Sequence, residues 1–201
     1  VQLAVESAEK AFPMWSNLTA EERSGYLMKI AGLIQANLEK FAHAESMDNG
    51  KPLWLAKSVD IPRAVKNFEF FAAAITQFSS ESHATGNIAL NYTLRQPLGI
   101  VGAISPWNLP LYLFSWKIAP ALAAGNCVIA KPSEITPLTA FLLSEICIEA
   151  NLPNGVLNII HGYGHKAGAA IVSHTKINAI TFTGGTKTGE EIARNAAPMF
   201  K

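Results

Sequence analysis

The sequence predicts an α/β fold in which a parallel sheet is covered by helices, behind a helical N-terminal segment. Three observations predict it. Past residue 98, short continuous apolar runs alternate with helical segments, the pattern of βαβ units whose strands are buried on both faces. Before residue 79, apolar residues recur at helical intervals instead. Between the two lies a polar stretch, SSESHATGN, followed by an alternating run.

The composition supports a packed domain and excludes several partners. Of the 201 residues, 49% are apolar, which allows a sizeable core. Sixteen Lys and Arg stand against 15 Asp and Glu, for a net charge of +1, and no basic run occurs. This balance argues against nucleic acid or an anionic membrane as the main partner. Cys127 and Cys147 both lie in apolar stretches, so a reducing, cytoplasmic setting is expected rather than a disulfide framework. No apolar run approaches the roughly 20 residues that span a bilayer. The opening VQLAVESAEKAF carries acids and reads as a helix, not a signal peptide, and it lacks an initiator Met.

The elements follow in order. Residues 1–15 read as a helix with Leu3, Ala4, Ala8, Ala11 and Phe12 on one side. Thr19 and Glu22 have capping-box spacing, and Leu27, Ile30, Leu33, Ile34, Leu38 and Phe41 continue a second helix as far as Asn49-Gly50. A third covers 55–78, with a bend expected at Pro62. Ile88, Leu90, Tyr92 and Leu94 then alternate, as in an antiparallel strand with one wet side. Strands are expected at 98–104, 127–130, 156–160 and 179–182. Helices are expected at 111–124, 137–150, 166–173 and 188–195.

In such sheets ligands gather at the carboxyl ends of the strands. Four turns lie there: SPWNLP, KPSEITP, HGYGHKAG and TGGTKTG. Gly162, Gly164 and Gly168, and then Gly184, Gly185 and Gly189, could let backbone approach a phosphate at a helix N-terminus, or could be ordinary turn glycines. Glu134, after the second parallel strand, stands where dinucleotide folds hold a ribose, or else serves the dipole of the helix that follows. A carboxylate there also repels a 2′-phosphate, which favours NAD over NADP. The first turn has no glycine. Pro110 suits a first helical position. Trp107 could cap the core, and Asn108 could bond its own backbone. Alternatively the Asn108 amide is a fixed, non-titrating donor for an oxyanion. His161 and His165 flank a glycine turn without an acid or Cys cluster, so no metal site is expected.

Together SPWNLPLYLFSWKIAPALAAGNCVIAKPSE, GVLNIIHGYG, AGAAIVSH and ITFTGGTKTG resemble the aldehyde dehydrogenase superfamily, along essentially the whole chain. Within it, DIPRAVKNFEFFA and SPWNLPLYLFSWKIAPA are most similar to enzymes acting on 2-aminomuconic and 2-hydroxymuconic semialdehydes. The resemblance implies a Rossmann-like fold and NAD-dependent oxidation of a small aldehyde. It implies that Asn108 is the oxyanion-hole amide. Lys131 and Glu134, in the element with Ser133, would hold the adenine ribose. Ile104, Ser105, Pro106 and Trp107 would line the cofactor wall, and Gly164 and Gly168 would lie under the adenine end. Phe182, Thr183, Gly184, Gly185 and Thr188 would face the pyrophosphate and nicotinamide. Gly185 replaces a serine common in relatives. The strand near Tyr92 matches part of an oligomerisation arm, implying a homodimer or homotetramer.

The expected organisation is a helical part at 1–87, the arm at 88–97 and the cofactor-binding core at 98–201. In the family a cysteine attacks the aldehyde to give a thiohemiacetal and then a thioester, and a glutamate in an E-L-G-G-K motif activates water. Both are expected after Lys201, since neither Cys127 nor Cys147 matches the nucleophile. Two other readings stay open: an acyl-CoA or acyl-phosphate reductase of the same fold, and a catalytically inert NAD-binding or structural relative.

Overall fold

The computed structural model describes residues 1–201. Helices α1 (Gln2–Asn17), α2 (Ala20–Ala36) and α3 (Leu38–Asn49) open the chain. A short turn α4 (Leu53–Leu55) and a π-helical turn (Ala56–Asp60) lead into α5 (Ile61–Thr76). A two-stranded hairpin, β1 (Ser82–Thr85) and β2 (Ala89–Tyr92), comes next. The remainder alternates β3 (Ile100–Ile104), α6 (Pro110–Ala123), β4 (Cys127–Lys131), α7 (Leu138–Glu149), β5 (Leu157–Ile159), α8 (Ala169–Ser173), β6 (Ala179–Phe182) and α9 (Thr186–Ala196).

The four later strands form one parallel sheet in the order β5-β4-β3-β6. β3 and β4 are buried along their whole length, which is why both read as unbroken apolar runs. Helix α1 packs on β3, β4 and β5, while α6 packs on β3 and β4 and is backed by α2 and α5. One cluster of 40 buried residues runs from Val5 to Ala196, so the N-terminal helices and the sheet share a single core.

The capping box at Thr19 and Glu22 is present: Glu22 N–H donates to Thr19 Oγ1 and Thr19 N–H to the Glu22 carboxylate. Three local expectations need correction. The second helix is two helices, broken at Asn37, whose side-chain amide donates to the Leu33 carbonyl at 2.9 Å. A short amide that bonds nearby backbone competes with the helical ladder. The bend expected at Pro62 is a change of helical register just before it, in the π-helical turn. This places Pro62 in the first turn of α5, where a missing N–H costs little. The strand at 88–94 does not have one dry face. Ile88 is 91% exposed, and Leu90, Tyr92 and Leu94 are 65–72% exposed. Its partner β1 comes from the polar stretch that reads as a break, because a solvated strand carries no apolar period.

Gly102, in the middle of β3, shows how closely the sheet is covered. A Cβ at that position would lie 2.5 Å from Ile171 Cγ2 of α8 and 2.8 Å from Ile180 Cδ1 of β6. Overpacking of this kind costs about 1–3 kcal/mol. Gly102→Ala should therefore lower stability by that amount in denaturant unfolding. An unchanged midpoint would show that α8 is not seated on β3.

Candidate functional site

The order of the sheet defines where a ligand can enter. From β3 the chain moves outward to β4 and β5, then returns to the other side of β3 as β6. Such a reversal opens a crevice at the carboxyl ends of the two diverging strands. The rim is pinned by backbone bonds. Ser105 N–H donates to the Lys131 carbonyl at 3.1 Å, Thr183 N–H to the Ile104 carbonyl at 3.2 Å, and Ile160 N–H to the Ala130 carbonyl at 2.8 Å. All four expected turns therefore lie along one edge.

At the β4 end, Lys131 is buried and its ammonium donates to Glu134 Oε2 at 2.8 Å and to the Pro132 carbonyl at 2.9 Å. The other Glu134 oxygen accepts the Gly164 N–H at 3.1 Å, joining the second turn to the third. Partial burial alone would raise the Glu134 carboxyl. The hydrogen bonds from Lys131, its own N–H and Gly164 outweigh burial and hold it at about 2, against an ordinary 4.5. Glu134 does not serve the following helix: the first N–H of α7, at Leu138, donates instead to Asp48 of α3 at 2.7 Å. Ser133, half-buried beside them, accepts the Ile135 N–H. Pro132, Ser133, Glu134, Pro137, His161, Gly162 and Tyr163 border an open cleft of about 290 Å³. Burial, with the Lys131 charge, keeps His161 below the usual histidine range.

At the β3 end, Ile104 and Ser105 are buried, Pro106 is half-buried, and Trp107 and Asn108 are exposed. Trp107 is 53% exposed and so does not cap the core. The Asn108 side chain makes no hydrogen bond within the chain, so it is not a turn residue tied to its own backbone. Pro110 is the first residue of α6, as its missing N–H allows. The amide is thus carried on a short exposed turn between a buried strand and a buried helix. From the same helix, Trp116 meets Phe71 of α5 on one side and Tyr112 on the other as an aromatic wall, and the Arg63 guanidinium lies 4.7 Å from the centre of the Tyr112 ring.

At the β6 end, Thr183, Gly184, Gly185 and Thr188 are exposed. Gly185 caps α9 in extended conformation, and Thr188 lies in its first turn, among N–H groups without helical partners. The half-buried Phe182 ring supports the turn from below, leaving no room for a Cβ at Gly184. Lys117 of α6 reaches here: its buried ammonium donates to Thr183 Oγ1 at 2.5 Å, and burial lowers its pKa. The sequence reading missed Lys117. The available signal was a cation on an otherwise apolar helical face, between Phe114 and Ile118.

These residues fit a dinucleotide. A Cβ at Gly185 would meet nothing within 4 Å, and at Gly164 or Gly168 only single atoms at 3.8 Å. Packing of the protein does not require glycine at any of the three, and the open faces of Gly164 and Gly185 are free for a ligand, while Gly168 is buried beneath them. Ser105 Oγ is buried at the rim without a partner, an orphan polar atom beside the crevice.

The Lys131–Glu134 pair has a pH signature. A carboxyl lowered by folding stabilises the folded state above its unfolded pKa and loses that contribution as pH falls through the folded one. The stability difference between the protein and its Glu134→Gln variant should be constant above about pH 5 and shrink between 4.5 and about 2. A difference that does not change with pH would show that the pair is not formed.

The chain matches the aldehyde dehydrogenase family model over residues 1–201. It is 49% identical over 202 residues to the human 2-aminomuconic semialdehyde dehydrogenase, covering 100% of this chain and 42% of that protein. To the 2-hydroxymuconic semialdehyde dehydrogenase of Pseudomonas sp. (strain CF600) it is 47% identical, covering 98% of this chain and 42% of that one. It superposes on the NAD+ complex of a Bacillus cereus aldehyde dehydrogenase with a TM-score of 0.97 and 41% identity, over all of this chain and 41% of that structure. The chain therefore spans about two fifths of the length of these relatives. With a sheet that reverses at β3, a paired Lys131 and Glu134 at its rim, and a family match from end to end, this chain belongs to the aldehyde dehydrogenase family.

Proposed function

We propose that this chain is the cofactor-binding portion of an NAD-dependent aldehyde dehydrogenase, and that Asn108 is its oxyanion donor. The observation that carries the reading is the combination at one rim of an unpartnered amide and a carboxylate held ionised by Lys131 and the Gly164 N–H. NAD, when bound, accepts the hydride that the aldehyde carbon gives up. The residues of this chain bind and orient. Glu134 stays ionised and offers acceptor oxygens to vicinal ribose hydroxyls. The ammonium of Lys131 holds the carboxylate in place and faces the same corner. The glycine turns before α9 and α8 allow the diphosphate close to free N–H groups. At the other end the Asn108 amide donates to the aldehyde oxygen as negative charge develops there, and it needs no proton transfer to do so.

The relatives' names support a more specific substrate, an acid semialdehyde, which retains one carboxylate. Arg63 forms no ion pair within the chain and stands over the Tyr112 ring of the aromatic wall, where it would face that carboxylate. The Glu134 charge opposes a 2′-phosphate, so we propose NAD rather than NADP. The exposed β1–β2 hairpin fits an arm that another copy covers, in a homodimer or homotetramer.

Steady-state kinetics of the full-length protein test the reading. It should oxidise an acid semialdehyde with NAD. Asn108→Ala should lower turnover by about 10²–10³ while leaving NAD affinity unchanged. Wild-type turnover in that variant would reduce Asn108 to a turn residue. Glu134→Gln should raise the use of NADP relative to NAD; an unaltered preference would remove Glu134 from the ribose site.

A further inference from the structure

We infer that the buried ion cluster of Glu45, Lys51 and Asp60 positions the Asn108 turn, holding the backbone on both sides of that residue so that its amide faces the crevice in one orientation. The inference rests on the role of Asn108 proposed above. Glu45 is 0% exposed and Asp60 2% exposed, and the Lys51 side chain is nearly as deep. The Lys51 ammonium has three N–H donors, and each is used. One goes to Glu45 Oε1 at 3.2 Å, one to Asp60 Oδ2 at 2.5 Å, and the third reaches the Asn108 carbonyl at 3.4 Å. The second oxygen of Glu45 accepts the Leu111 N–H at 3.3 Å, a first-turn donor of α6 without a helical partner. Asn49, one turn along α3 from Glu45, donates its side-chain amide to the Trp107 carbonyl at 2.8 Å.

The turn is therefore tied on both flanks. The carbonyls of Trp107 and Asn108 and the N–H of Leu111 are held from the end of α3 and from Lys51. The Leu109 carbonyl starts α6 by accepting the Leu113 N–H at 3.0 Å. Pro110 has no N–H to satisfy. The Asn108 side chain is left out of this network. The clamp is itself well anchored. Gly50 takes the left-handed conformation (φ 76°) that ends α3 and turns Lys51 inward, and Ser46 Oγ donates to the Lys51 carbonyl at 2.7 Å.

Stability alone does not explain three charges here. Desolvating buried ions is costly, and well-packed apolar residues often replace such clusters without loss. What the cluster supplies is direction. Its hydrogen bonds end on named backbone atoms of a turn that carries a functional amide, whereas apolar packing would fill the space without fixing an orientation.

The test uses the full-length protein with two mild variants and two readouts. Asn49→Ala removes the tie to Trp107. Glu45→Gln keeps the shape and weakens the ties to Lys51 and Leu111. Each should accelerate hydrogen exchange of the Leu111 N–H, the one backbone donor of the turn that the cluster holds, by about five- to tenfold, the factor of one net hydrogen bond. Each should also lower kcat by about tenfold with NAD affinity within twofold of the parent. In an Asn108→Ala background the same substitutions should leave the remaining kcat unaltered, since their effect passes through that amide. A parental exchange rate at Leu111, or kcat losses that add in full to that of Asn108→Ala, would overturn the inference. A full-length protein that oxidises no aldehyde defeats the functional reading instead, and the exchange rates still decide whether the cluster holds the turn.

Discussion

The structure depends on one constraint: a central parallel strand bonded on both sides must end where its two neighbours diverge. β3 satisfies its backbone groups against β4 on one side and β6 on the other. Beyond Ile104 the ladder cannot continue, yet the groups there are still buried or close to burial. They are satisfied by cross-bonds between the ends of the strands, Ser105 to Lys131 and Thr183 to Ile104. These bonds bring turns far apart in sequence to one edge and give each a fixed height above the sheet. The charged and glycine-rich features of the site follow from that placement.

Two kinds of electrostatics share this edge. At the β4 end a buried ammonium meets a half-exposed carboxylate, and the carboxylate remains ionised because hydrogen bonds outweigh its partial burial. At the β3 end the oxyanion donor we propose, the Asn108 amide, is neutral, and the charges lie behind its turn in the Glu45–Lys51–Asp60 cluster. A charged group beside the reacting oxygen would titrate or attract water. In the proposed role a carboxamide does neither, and on the inference drawn above its orientation is set by backbone rather than by its own contacts.

Much of this was legible in the sequence. The strands β3 and β4 are continuous apolar runs because both of their faces are covered, and Pro110 marks the first residue of α6. The four rim turns could be located because each follows a strand. Other features were not legible, for physical reasons. Ser82–Thr85 has no apolar period because neither face of the hairpin is covered, so β1 read as a break. Asn37 splits a helix whose apolar spacing continues across it. Lys117 and the Glu45–Lys51–Asp60 cluster are charges in buried positions, and a sequence pattern assigns charges to the surface. Glu45 follows Phe41 and Ala42 on the buried side of α3, which is the one local hint. Its partners lie on separate elements that only the fold brings together.

The most direct test of the central claim is a crystal structure of the full-length protein with NAD and an unreactive aldehyde analogue. The account predicts the adenine ribose hydroxyls on Glu134 beside Lys131, and Asn108 Nδ2 within hydrogen-bonding distance of the analogue's carbonyl oxygen. An adenine ribose bound away from Glu134, or an Asn108 amide turned from that oxygen, would contradict it.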